Sequence, residues 1–172
     1  MLEIFEFGII GMGPAGIGMA MSLCSTYNNI KNTICFERGS YPKGTSCSAF
    51  LQNECCHSNV CTVISGIGGA STLSSGKISN FPAGSGLIEF FDSEQQLKEL
   101  LDDIILFLSK KIALKKAEID SKVKEDAQEF YEQRHIKYKY YDVYEFDGEN
   151  YRNFIQETVQ ELRDSGLQIL DN

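Results

Sequence analysis

Apolar residues cluster near the N-terminus and then recur at changing intervals, and these intervals predict the elements. Ile4, Phe5, Phe7, Ile9 and Ile10 make a mostly apolar run that predicts a first strand over residues 3–10. A helix is expected from Pro14 to about Tyr27, Asn28 and Asn29, followed by a second strand over residues 32–37 with Thr33, Ile34, Cys35 and Phe36. Residues 40–86 show no period and read as a long loop-rich stretch, which in a compact domain is usually functional. Ser93 with Gln96 forms a capping box, after which Leu97, Leu101, Ile104 and Leu108 fall at helical spacing. A Lys/Glu-rich stretch then runs to about Arg134, either continuing that helix or restarting it. Residues 136–146 begin by alternating apolar and charged positions and favour a strand, and Asp147-Gly148 is expected to turn the chain. Tyr151, Phe154, Ile155, Thr158, Val159 and Leu162 mark an amphipathic helix closed by Gly166, and Leu167 to Leu170 reads as the start of another strand.

Composition divides this layout near residue 87. Thirteen of the 15 glycines and all six cysteines precede that point. The formal net charge of −8 falls wholly after it. The division predicts a unit over 1–86 whose backbone approaches something closely. A well-solvated, mainly helical and incomplete second region is expected over 87–172. An acidic chain repels nucleic-acid backbones and anionic lipid surfaces, so neither is an expected partner. The N-terminus carries Glu3 and Glu6 and lacks the basic start of a signal peptide, and no uncharged run reaches the length of a membrane span. A reducing cytoplasmic setting is the expectation.

The strongest chemical signal is Gly11-Met12-Gly13-Pro14-Ala15-Gly16, set between the first strand and the first helix. The second strand ends in Glu37, 21 residues past Gly16, where a carboxylate accepts hydrogen bonds from an adenosine ribose. Gly11 would permit the tight turn, Gly13 the approach of a pyrophosphate, and Gly16 close packing of the helix. The helix N-terminus offers unpaired N–H groups and a positive dipole end, and Pro14 costs little there. Arg38 adjoins the same site, and Glu37 disfavours a 2′-phosphate, so NADP fits least well. The strand–glycine loop–helix–strand–acid order predicts an α/β, Rossmann-like, three-layer dinucleotide-binding domain around a parallel sheet. FAD or NAD remains the choice of ligand.

A second glycine-rich block bears on that choice: Ser65-Gly66-Ile67-Gly68-Gly69-Ala70-Ser71-Thr72-Leu73-Ser74-Ser75-Gly76-Lys77-Ile78. Together with Gly-x-Gly-Pro-Ala-Gly it resembles the bacterial FAD-dependent dehydrogenases of the NAD(FAD)-utilizing type, which are glutathione-reductase-like flavoproteins. The resemblance covers about residues 1–90. Three positions depart from the family pattern: Ile67 replaces an aromatic residue, Ser71 a glycine and Ser75 an aspartate. The resemblance implies an FAD cofactor, with NAD(P)H as a reductant, and a flavin-dependent oxidoreductase. It also implies that Gly68 and Gly69 lie along the flavin side and that Lys77 faces a phosphate or the flavin. A non-catalytic dinucleotide-binding or assembly subunit is the competing class, and an NAD-binding protein the other alternative. Proteins of that family are longer, so the expected partners are a second chain completing the sheet or another copy of this one.

Cys47, Cys55, Cys56 and Cys61 cluster with His57, without the paired spacing of a zinc or iron–sulfur site, and reduced thiols are the expectation. Cys24 and Cys35 are expected in the core, and His135 at an exposed helix end. A tyrosine run at Tyr138, Tyr140, Tyr141 and Tyr144 either lines a pocket or packs one face of a strand.

Overall fold

A computed structural model describes residues 4–27, 30–39, 54–55, 64–72 and 76–171. It is a mixed α/β chain of two compact units. One comprises Met1–Ser75 and Tyr151–Asn172, the other Gly76–Asn150. The chain therefore leaves the first unit once and comes back to it, where composition suggested a single division at residue 86. Composition registers where charge accumulates, whereas the return depends on which apolar faces meet.

The first unit is built on a parallel three-stranded sheet. Strand β1 (Phe7–Ile10) pairs with β2 (Thr33–Phe36), with Ile9 opposite Cys35 and Ile10 opposite Phe36. Strand β6 (Gln168–Leu170) adds to the other edge of β2, with Phe36 opposite Leu170. Leu167 to Leu170 thus finds its partner within the chain. Between β1 and β2 the chain runs through α1 (Pro14–Tyr27), which buries Ile17, Ala20 and Leu23. Helix α4 (Gly148–Asp164), numbered in chain order, buries Tyr151, Ile155, Thr158, Val159 and Leu162. That face is the one its 3- and 4-residue spacing predicts. Ile9, Met12, Cys35 and Ile67 are buried with them. Ile10, Phe36 and Leu170 lie in register across the sheet and are exposed.

Two caps fix the ends of α4. Asp147 accepts from the N–H groups of Glu149 and Asn150, so the expected turn at Asp147-Gly148 is a helix start. At the other end Gly166 adopts φ 105°. Its N–H bonds Arg163 O while Leu167 N–H bonds Leu162 O, the double closure of a Schellman motif.

The region over 87–172 is mainly helical, as composition suggested, but the second unit is not built of helices alone. It contains an antiparallel sheet in the order β3 (Lys77–Ser79), β5 (Val143–Phe146), β4 (Leu114–Lys116). Strands of three or four residues, such as Lys77-Ile78-Ser79, are too short to show a period, and their pairing is wholly non-local. The strand expected over 136–146 is confined to Val143–Phe146. Just before it, Tyr138 stacks on Tyr131 at 5.3 Å, and Lys124 sits 4.0 Å over the Tyr140 ring. The aromatic run therefore packs against α3 (Ser121–Glu132). Helix α2 (Glu94–Ser109) is capped by Ser93, whose side chain accepts from Gln96 N–H. Gln96 reaches back to Asp92 N–H at 3.0 Å, one residue beyond the usual capping-box partner. Of the apolar positions expected on one face, Leu97 is fully buried while Ile104 is exposed. The Lys/Glu-rich stretch restarts as α3 after β4.

Helix α3 ends in a second Schellman closure, with His135 N–H on Glu132 O and Ile136 N–H on Tyr131 O. His135 takes the left-handed position at φ 55°. Its ring is exposed, while its Cβ carries the strain of that conformation. His135→Gly is expected to stabilise the chain by about 0.5–1 kcal/mol. Urea denaturation checks this, and a loss of stability would show that the imidazole contributes.

Candidate functional site

The glycine loop begins where β1 ends. Gly11 N–H donates to Phe36 O at 2.8 Å, which ties the loop to the end of β2. The three glycines of the motif are present for three different reasons. Gly11 has φ 89°, a conformation a side chain would strain. A Cβ on Gly16 would run into the carbonyl oxygen of Gly11 and lie 3.4 Å from Ile9 Cγ2, so glycine there is what lets α1 sit against the strand end. Among the described residues a Cβ on Gly13 would meet no atom within 4 Å, and Gly13 is not among the positive-φ glycines. Among the described residues nothing requires glycine at position 13.

Helix α1 starts at Pro14, and its first backbone bond runs from Ile17 N–H to Gly13 O. The N–H groups of Ala15 and Gly16 stand in the first turn, where no intrahelical acceptor exists. They lie at the positive end of the helix dipole.

Glu37 is placed beside this loop by β2, and its carboxylate is already engaged. Oε2 accepts from Met12 N–H at 2.8 Å, and Oε1 from Gly39 N–H at 2.8 Å and Gly66 N–H at 2.9 Å. All three donors belong to buried residues. Burial pushes the Glu37 carboxyl up, but the amides of Met12, Gly39, Gly66 and Arg38 together hold it below its ordinary value. Glu37 is therefore an ionised staple joining the end of β2 to both glycine-rich segments. Motif spacing identified this acid but not the staple, because its donors come from three separated stretches of backbone.

The second glycine block closes onto the first. Gly68 N–H donates to Met12 O at 2.7 Å. A Cβ on Gly69 would lie 3.4 Å from Gly13 Cα and 3.6 Å from Pro14 Cδ, so the 3₁₀ turn Gly69–Thr72 abuts the loop itself. Gly39 is needed for the same closure, since a Cβ there would fall on the backbone of Gly66. Gly11, Gly13, Pro14, Ala15, Gly16, Glu37, Gly68 and Gly69 are thus one locus. Arg38 adjoins it with an exposed side chain. Lys77 belongs to the other unit, where its ammonium lies 3.9 Å from the cross-strand Glu145 carboxylate.

Cys35 is fully buried in β2. Burial, and then the charge of Glu37, push its thiol up to about 11, so it stays protonated and behaves as a core residue. Cys24 is half-buried on α1 and Cys55 is exposed. Cys47, Cys56, Cys61 and His57 lie outside the described residues. Among the described residues no three His, Cys, Asp or Glu side chains form a metal-binding group, and no helix is long and apolar enough to cross a membrane.

The chain matches no protein-family profile and no curated protein. Among solved structures it is similar to L-amino acid deaminase from Proteus vulgaris, with 12% identity and a TM-score of 0.32. The match covers 99% of this chain and 40% of that one, so this chain spans about two fifths of the protein it matches. A likeness of that size carries no weight for an activity.

Proposed function

We propose that this chain binds the ADP part of a dinucleotide, FAD before NAD, as the nucleotide-binding portion of a flavin-dependent oxidoreductase acting in the cytoplasm. In this reading the pyrophosphate lies against Gly11 to Gly16 and the adenosine ribose at Glu37. The observation that carries it is Gly13. Its missing Cβ leaves space that no atom of the described residues uses, beside first-turn N–H groups suited to an anion. The close approach of Gly68 and Gly69 to the loop supports FAD over NAD, through the resemblance of that block to the FAD-dependent dehydrogenases. Glu37 supports a free ribose 2′-hydroxyl and opposes a 2′-phosphate. Bound flavin would supply hydride or electron-pair transfer between NAD(P)H and an organic substrate, while the residues named here hold and orient it.

The test uses the intact chain and Gly13→Ala. The substitution is expected to leave stability within about 0.5 kcal/mol, since its methyl meets no atom of the described residues. It is expected to weaken FAD binding tenfold or more by crowding the pyrophosphate. Flavin fluorescence titration and thermal melting read the two effects separately. Equal FAD affinity in the two proteins, or no FAD binding by the unaltered chain, would overturn the proposal. Binding of NAD alone would replace FAD in it.

A further inference from the structure

Helix α4 touches the glycine-rich turn at three places, and none of them was visible in the spacing of the motifs. Tyr151 is buried on its first turn, with its hydroxyl 3.1 Å from Ser71 Oγ. Arg152 donates from NH1 to Thr72 O at 3.2 Å. Ile155 lies so that a Cβ on Gly68 would come within 3.3 Å of its Cγ2. Ser71 Oγ in turn donates to Gly68 O at 2.5 Å. A serine hydroxyl has one proton, so Ser71 accepts at the other contact and Tyr151 is the donor there. Gly68 is also bonded to the loop through its other peptide group, since its N–H donates to Met12 O, and Met12 N–H donates to Glu37 Oε2.

We infer that Tyr151 and Ser71 are positioning residues for the dinucleotide site, with α4 holding the Gly68–Thr72 turn against Gly11–Gly16 through the hydrogen bonds Tyr151–Ser71–Gly68. The inference rests on the dinucleotide reading for the ligand it serves. The physical case is that the Ser71 hydroxyl bonds both the turn, at Gly68 O, and the helix, at the Tyr151 hydroxyl. Gly68 and Gly69 both sit at positive φ and carry no side chains, so the turn gets its rigidity from Ser71, Thr72 and what they bond. Thr72 Oγ1 closes the turn on itself by donating to Gly69 O, whereas the Ser71 hydroxyl both closes the turn, on Gly68 O, and meets the helix, at Tyr151. Serial bonds of this kind polarise one another, so loss of one loosens its neighbours. Ser71 is also where this chain departs from the glycine of the family it resembles, and a glycine could make neither bond.

Tyr151→Phe keeps the buried ring and removes only the hydroxyl, and Ser71→Ala removes the link from the other side. Two readouts are taken on the full chain: amide hydrogen exchange at Met12 and Gly68, and affinity for FAD and for ADP. Each variant is expected to speed Gly68 exchange about tenfold, the scale of one ordinary hydrogen bond, and to weaken FAD and ADP by a similar factor. The double variant should be no worse than either single one, because both break the same chain, and Ser71→Thr should restore the wild-type values. Unchanged exchange at Gly68 in Tyr151→Phe would overturn the inference, as would faster exchange with unchanged affinity. If the unaltered chain binds neither FAD nor ADP, the proposed function fails, and the exchange data alone decide whether the helix positions the loop.

Discussion

Replacing Glu37 by alanine is expected to destabilise the first unit by about 2–3 kcal/mol and to abolish any dinucleotide affinity the chain has. Three buried backbone donors, on Met12, Gly39 and Gly66, would lose their acceptor together. Three charge-assisted bonds would suggest more, but solvent reaches this half-buried carboxylate and screens part of the loss. Glu37→Gln is expected to fall short of restoring stability. Its amide can accept at one end only and would turn two donors toward a backbone N–H at the other. The same geometry fixes the response to acid. The folded carboxyl is held below its ordinary value of 4.5, so its contribution is fully present above that pH. It is lost as the pH falls from 4.5 through the lower folded value, and raising the pH from neutrality does not add to it. Urea denaturation from pH 7 down to pH 3 should show the unaltered chain losing more stability than Glu37→Gln across that interval. Parallel curves for the two proteins would remove the carboxylate from the account of the loop.

Gly16→Ala is expected to cost about 3 kcal/mol, at the upper end of what overpacking does. The added methyl would collide with the carbonyl of Gly11, a backbone atom that cannot turn away as a flexible side chain would. Relief requires α1 to lift from the end of β1, where Ile9, Ile17 and Ala20 are packed. The contrast with Gly13→Ala is the informative part. Two glycines three residues apart, replaced by the same residue, should divide cleanly: one loses fold stability and the other loses ligand. Thermal melting of both variants measures this, and a Gly16→Ala protein as stable as the unaltered chain would show that the helix start yields more easily than its packing suggests.

Local pattern determined much of the first unit. The apolar run, the glycine motif, the helix behind it and the second strand were all legible before any coordinates. Each rests on interactions within a few residues: a turn requiring positive φ at Gly11, a proline suited to a first turn, the 3- and 4-residue spacing of α4, and a C-terminal glycine at Gly166. The position of Glu37 was legible for the same reason, since a strand–helix–strand unit sets its distance from the motif.

Only the tertiary structure decided the rest. It made Glu37 a staple, because the amides of Met12, Gly39 and Gly66 converge on it from separate parts of the chain. It brought Gly76–Phe146 pairing and the short strands β3, β4 and β5 into one antiparallel sheet, where three-residue segments carry no readable period. It also returned residues 151–172 to the first unit, placing β6 beside β2 and Tyr151 beside Ser71. A sequence states what each residue can offer its near neighbours. Which distant backbone N–H meets which side-chain oxygen is settled by how the apolar faces of α1, α4 and the sheet pack, and that depends on all of them at once.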